Sequence, residues 1–105
     1  MAEEKRFEEK VKRWLTKRGA WWIKYAPTGL GCRAGVPDVL ACVDGRFYGI
    51  ELKASDGRPS ELQKRAVRRI REAGGIGVVL YPSGWAAFKD AVEKGSADDL
   101  PFVVR

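Results

Sequence analysis

The sequence contains no histidine and only two cysteines among 105 residues. Without histidine, neither a Ser-His-Asp triad, a Cys-His pair nor a histidine-based ribonuclease or metal site can form. Cys32 and Cys42 lack CxxC spacing, so we expect neither a zinc site nor a disulfide framework, and we expect Cys42 to lie in the core of a strand. The hydrolytic chemistry that remains is that of a metal ion bound by carboxylates.

The chain also lacks a run of about 20 apolar residues, the length that a membrane span needs. Its first residues have no apolar stretch typical of a signal peptide. We therefore expect a cytoplasmic protein, in a bacterium or a phage-infected host. With 45% hydrophobic residues, the composition suits one domain, which we place at residues 1–95, with a tail at 96–105 that packs on it or extends it.

Positive charge is in excess, because the sequence has 20 Lys and Arg residues and 14 Asp and Glu residues, which gives a net charge of +6. Such a charge favours a polyanionic partner. Charge alone leaves DNA, RNA and an anionic membrane open.

The most informative segment surrounds the dipeptide Asp44-Gly45. Asp-Gly between strand-like runs predicts a two-residue hairpin turn. With these residues in the turn, the register places Asp38 directly opposite Glu51, and Lys53 shares their face because side chains two residues apart on a strand point the same way. Opposed carboxylates destabilise a sheet unless a cation such as Mg²⁺ or Mn²⁺ compensates them. An ordinary exposed edge strand would also explain E-x-K, but the Pro-Asp step and the register favour a metal site.

The remaining periodicities predict the order αβββαβα, an α/β domain with a mixed central sheet. A first helix ends at Gly19 and a strand covers residues 21–25. The hairpin spans about 37–53, a second helix begins after Ser60 and ends at Gly74, a strand covers residues 76–81, and a third helix ends near Gly95.

The second helix is expected to pack on the sheet through the apolar stripe formed by Leu62, Ala66, Ile70 and Ala73. Gln63 falls on the margin of this stripe, about 100° from Leu62. From there it could reach the E-x-K strand and position a water or a phosphate. Its spacing from Ser60 also fits a capping box.

Basic residues occupy another side of this helix, where Lys64, Arg68 and Arg71 form a cluster. They predict contacts with a phosphate backbone, although a solvated face would look the same. The glycine-rich segment 29–35 contains Arg33 and could approach a phosphate closely, or simply connect two elements.

The segments G-V-P-D-V-L-A, G-R-F-Y-G-I-E-L-K and P-S-E-L-Q resemble the virus-type replication-repair nuclease (VRR-Nuc) domain. This is a branch of the PD-(D/E)XK nuclease superfamily, which also holds archaeal Holliday-junction resolvases. The likeness runs from the first helix to about Val92. It implies a restriction-endonuclease-like fold with the following site residues: Asp38 and Glu51 as metal ligands assisted by the Leu52 carbonyl, Lys53 as the catalytic lysine, Gln63 as the glutamine of the next helix, and Glu4 or Glu8 as an acid from the first helix.

The resemblance further implies a Mg²⁺- or Mn²⁺-dependent deoxyribonuclease with no organic cofactor. Its substrate would be DNA, and branched DNA such as a Holliday junction is the expected form, although the sequence does not decide between a four-way junction, a flap and plain duplex. The protein would act as a homodimer. Trp21 or Trp22, Trp85 and Phe102 are candidate interface residues, because a small core cannot hold every aromatic residue; Trp21 and Trp22 could instead stack on bases or pack internally. The competing hypothesis is a non-catalytic nucleic-acid-binding module that retains the fold.

Overall fold

A computed structural model describes residues 2–26 and 33–105. Within these residues the chain forms three α-helices, two short 3₁₀ turns and a five-stranded mixed sheet. The elements are α1 (Ala2–Lys17), β1 (Trp21–Lys24), β2 (Val39–Val43), β3 (Arg46–Leu52), α2 (Glu61–Glu72), β4 (Ile76–Leu80), a 3₁₀ turn (Pro82–Gly84), α3 (Trp85–Glu93), a second 3₁₀ turn (Ala97–Asp99) and β5 (Val103–Val104). The predicted fold class and order are confirmed, and the tail adds a fifth strand.

The strands lie in the order β1-β2-β3-β4-β5. The first two pairings are antiparallel, and β4 pairs in parallel with both β3 and β5. Asp44 and Gly45 have φ angles of 51° and 80°. Both values are positive, as a tight two-residue hairpin turn between β2 and β3 requires.

The main hydrophobic core lies between one face of the sheet and helices α1 and α3. Phe7, Val11 and Leu15 are the buried residues of α1, and Trp85, Phe88 and Val92 are those of α3. These residues follow the predicted helical spacing. The aromatic rings also contact one another edge to face, as Phe7 and Trp14 do with Trp85.

Helix α2 covers the opposite face, where its packing differs from the predicted stripe. Val67 is its fully buried residue, whereas Leu62 is 52% exposed. The difference arises from two strand glycines that let α2 approach the sheet. A Cβ at Gly49 would lie 2.4 Å from Ile70 Cδ1, and one at Gly77 would lie 2.6 Å from the Val67 carbonyl oxygen. The packing face of α2 is therefore turned away from Leu62.

Because α2 contacts β3 and β4, the face of β1 and β2 on its side stays open. Cys42 is exposed there, so the expectation that it lies in the core was wrong. None of the helices among the described residues has the length and apolar character needed to cross a membrane.

Candidate active site

The hairpin register brings the two predicted metal-binding carboxylates together. The β2–β3 ladder pairs Val43 with Arg46 and continues to Val39 opposite Ile50. The next step along both strands places Asp38 opposite Glu51, as the turn predicted. Alternation along β3 sends Ile50 and Leu52 into the core beneath α1 and α3, and Glu51 to the face covered by α2.

Asp38 is fixed through both its side chain and its backbone. Its Oδ2 atom accepts a hydrogen bond of 2.9 Å from the Leu52 amide on the neighbouring strand. Its carbonyl oxygen accepts one of 2.8 Å from the Tyr25 amide. The preceding Pro37 is buried and limits the backbone further. The Asp38 carboxylate is thereby held in place beside Glu51.

Glu51 is the only buried charged residue among those described, with 1% of its surface exposed. Burial, together with the negative charge of Asp38, raises the pKa of Glu51 to about 8, against the opposing effect of Lys53. Its Oε2 atom lies 3.3 Å from Lys53 Nζ. Its other oxygen, Oε1, is buried without a hydrogen-bond partner. A buried acceptor in this state requires either a proton or a cation.

This arrangement fits a divalent ion on its own geometry. An unpartnered carboxylate oxygen beside a second carboxylate is a donor set of the hard oxygen type that Mg²⁺ and Mn²⁺ prefer. Within residues 2–26 and 33–105, however, no group of three acidic, cysteine or histidine side chains is arranged to hold a metal. The pair Asp38 and Glu51 therefore stands without a third carboxylate in the described part of the chain.

The assignment of Glu4 or Glu8 as the acid from the first helix stays a prediction. Glu8 forms ion pairs with Lys12 and with Lys24 of β1. These cations lower the pKa of Glu8 against the opposing effect of its partial burial. The ion pair with Lys24 therefore joins Glu8 of α1 to the first strand.

Gln63 forms the capping box that its spacing predicted. The backbone N–H of Gln63 donates to Ser60 Oγ, and the side-chain oxygen of Gln63 accepts a hydrogen bond of 2.8 Å from the backbone N–H of Ser60. This oxygen therefore serves to begin α2. A contact between the side-chain NH₂ group and a water or phosphate stays a prediction.

The predicted phosphate-binding residues differ in their environments. Arg68 is exposed and forms no ion pair among the described residues, whereas Lys64 lies 2.6 Å from Glu61. Arg71 donates to the carbonyl oxygens of Gly77 and Leu100, at 3.0 and 3.3 Å. Arg71 is exposed, but these two hydrogen bonds engage its guanidinium group, and its contact with a phosphate stays a prediction.

Arg33 follows residues 27–32, which lie outside the described part of the chain and include Cys32 and most of the glycine-rich segment. The Arg33 amide donates to the Tyr25 hydroxyl, and that hydroxyl in turn donates to the Arg33 carbonyl. Arg33 also borders a cavity of about 410 Å³ whose lining includes Pro37, Leu62 and Arg65. Tyr25 therefore contacts both Asp38, through its backbone amide, and Arg33, through its hydroxyl. Its position at the end of the predicted first strand could have suggested the contact with Asp38.

A further contact beside the site escaped the sequence analysis. Glu3 of α1 accepts hydrogen bonds from both the amide and the hydroxyl of Ser55. Ser55 lies two residues after Lys53, so this contact attaches the start of α1 to the chain that leaves the E-x-K strand. The two residues are 52 positions apart, and no local pattern could have paired them.

Comparison with known proteins finds a family match and a structural match. A family model described as "Archaeal holliday junction resolvase (hjc)" matches residues 2–77, a range that contains Asp38, Glu51 and Lys53. Among solved structures, the chain is similar to one described as "VRR_NUC domain", with 25% sequence identity and a TM-score of 0.67. That match covers 87% of this chain and 95% of the other. A search of curated proteins finds no match.

Proposed function

Because the chain belongs to the archaeal Holliday junction resolvase family, we propose that it is a metal-dependent endonuclease that hydrolyses phosphodiester bonds in branched DNA, such as Holliday junctions. The observation that carries this proposal is the buried, unpartnered oxygen of Glu51 between Asp38 and Lys53. A purely structural position would favour a residue without this desolvated charge.

Asp38 and Glu51 would hold Mg²⁺ or Mn²⁺, with the Leu52 carbonyl as a further oxygen ligand. The bound ion would polarise a phosphoryl oxygen and lower the pKa of a coordinated water. Lys53 is held beside Glu51 with 15% of its side chain exposed. From this position its ammonium group would stabilise the negative charge that develops on the reacting phosphate.

The test is cleavage of a four-way junction, a flap and a linear duplex with and without Mn²⁺. We expect metal-dependent cleavage that is fastest on the junction. Asp38→Asn should lose cleavage together with Mn²⁺ binding measured by calorimetry, since it removes a ligand charge. Glu61→Gln removes an exposed carboxylate from α2 and is the matched control that should cleave normally.

Two outcomes of this assay would count against the proposal. Junction binding without cleavage at any Mn²⁺ concentration would indicate a non-catalytic binding module that retains the fold. Cleavage that survives Asp38→Asn would mean that another site performs the hydrolysis.

We also propose that the protein acts as a homodimer, since each chain has one such carboxylate pair and the two strands of a symmetric junction need two sites. The open face beside α2 supports this: Trp21, Ile23 and Phe47 are 68%, 40% and 46% exposed. Cys42 lies between Trp21 and Phe47 in the ladder. A contiguous apolar patch on an edge strand is typical of an interface.

The other aromatic candidates for this interface have different environments. Trp85 is buried in the main core, and the Trp22 indole donates to Thr16 Oγ1. Phe102 packs against a smaller cluster on the other face of the sheet, formed by Val67, Val79 and Tyr81. Light scattering should give twice the chain mass of 11.7 kDa. Trp21→Ser should yield monomers. The control Val103→Ser, which alters an exposed apolar residue of β5 at the opposite edge of the sheet, should remain dimeric. A wild-type monomer, with or without junction DNA, would contradict the dimer.

A further inference from the structure

Helix α1 carries a stripe of basic residues that the proposed active site does not use. Arg6, Lys10, Arg13 and Lys17 follow the spacing i, i+4, i+7 and i+11. At about 100° per residue these positions fall within an arc of roughly 60°. All four residues are exposed. The rise of about 1.5 Å per residue gives the stripe a length of roughly 16 Å.

The four side chains form no ion pairs among the described residues. The neighbouring basic residues behave differently: Lys12 pairs with Glu8 and Glu9, and Arg18 pairs with Asp44 and Glu93. Four like charges along one side of a helix repel one another. Their combined field therefore attracts an extended anion rather than a single small one.

The stripe begins close to the proposed catalytic strand. Glu3, one turn before Arg6, is hydrogen-bonded to Ser55, which follows Lys53 by two residues. A groove runs beside α1 towards Pro82, and its lining contains four basic residues and two acidic ones: Lys5, Arg6, Lys10, Arg13, Glu3 and Glu9. The basic track therefore leads away from the same end of β3 at which Glu51 and Lys53 lie.

The chemistry of α1 favours a nucleic acid over an anionic membrane as the partner. A helix that lies in a membrane surface inserts an apolar face next to its basic one. In α1 the apolar residues Phe7, Val11 and Leu15 are buried against the sheet, so no insertion is available. A phosphodiester backbone needs only the charges, because phosphate contacts position a duplex without reading its sequence.

We propose that the α1 stripe binds the phosphate backbone of one duplex arm of the DNA substrate, while the branch point lies at Asp38, Glu51 and Lys53. This inference rests on the proposed function for the identity of the substrate. The stripe would span about five base pairs at 3.4 Å per step. It forms a surface separate from the basic residues of α2.

The experiment measures the affinity for a four-way junction in EDTA, where no cleavage occurs, between 50 and 300 mM salt. The test variant is Lys10→Gln/Arg13→Gln. Its control, Lys89→Gln/Lys94→Gln, removes the same charge from Lys89 of α3 and from Lys94, the residue that directly follows this helix. Two lost phosphate contacts should flatten the slope of log affinity against log salt by roughly two units. Affinity should fall by at least about tenfold at 0.1 M salt.

An equal loss in both variants would overturn the proposal, because it would reflect net charge alone. An unchanged slope in the test variant would do so as well. Binding of wild-type protein to phosphatidylserine vesicles that is lost in the test variant, with junction affinity intact, would assign the stripe to a membrane. Because these measurements need no cleavage, a failure of the nuclease proposal would leave their outcome readable.

Discussion

Replacing Glu51 by glutamine should stabilise the metal-free protein at high pH while abolishing its response to metal. The folded state holds the Glu51 proton up to a pKa of about 8, whereas the ordinary value is 4.5. Between these values the unfolded chain binds fewer protons, so the free energy of unfolding falls as pH rises. At about 1.4 kcal/mol per pH unit, the total loss is on the order of 5 kcal/mol, an upper limit because Asp38 shares the charge.

Glutamine keeps the shape of the side chain but carries no charge. Its NH₂ group can donate to the carboxylate of Asp38, as protonated Glu51 would. If glutamine recovers half of the stability that the wild type loses, the free energy of unfolding of Glu51→Gln at pH 9 exceeds that of the wild type by about 2 to 3 kcal/mol. This corresponds to a rise in Tm of roughly 10 to 20 °C for a domain of this size. At pH 5 the two proteins should unfold at similar temperatures.

The assay is thermal unfolding in EDTA at pH 5, 7 and 9, repeated at each pH with Mn²⁺. At a metal concentration of about 100 times Kd, binding should stabilise the wild type by roughly 2.7 kcal/mol and Glu51→Gln hardly at all. Glu61→Gln is the control, because an exposed carboxylate should leave the pH dependence unchanged. Equal Tm values for wild type and Glu51→Gln at pH 9 would refute the claim that burial of the charged Glu51 carboxylate destabilises the protein.

Lys53→Gln should reduce the rate of single-turnover cleavage by about 100-fold or more, while the affinity for the junction in EDTA is retained. An equal loss of affinity would mean that Lys53 contributes to substrate binding and not specifically to the transition state. Arg71→Gln should lower the free energy of unfolding in urea by about 1 to 3 kcal/mol, because two backbone carbonyl groups lose their donor. Arg68→Gln should change the free energy of unfolding by less than about 0.5 kcal/mol but should flatten the salt dependence of DNA binding. A larger loss of stability in Arg68→Gln than in Arg71→Gln would contradict the roles given to both residues. Gly77→Ala should lower the free energy of unfolding by about 1 to 3 kcal/mol, because the new Cβ would meet the Val67 carbonyl of α2. An unchanged urea midpoint would show that the helix can shift to accommodate the added atom.

The features predicted from sequence are those that short-range chemistry determines. Asp44 and Gly45 set the turn, and the turn sets every pairing of the hairpin, including the step that places Asp38 beside Glu51. Capping of α2 by Ser60 and Gln63 is similarly local. The central part of the candidate site therefore follows from a segment of less than 20 residues.

The errors all concern contacts between distant parts of the chain. The packing face of α2 depends on Gly77, a residue of the next strand whose missing side chain admits Val67. The exposure of Cys42 depends on how far α2 extends across the sheet. Periodicity within one element contains none of this information.

The glycine contacts under α2 also bear on how the molecule can move. Because an atom added at Gly49 or Gly77 would lie less than 3 Å from Ile70 or Val67, the helix packs closely on β3 and β4, with Val67 buried beside Val79 and Tyr81. Helix α2, β3 and β4 should therefore behave as one rigid body that contains Glu51 and the start of the capped helix. Adjustments that fit a branched substrate must then occur at the periphery of this body, and the carboxylate geometry would be the same before and after DNA binds.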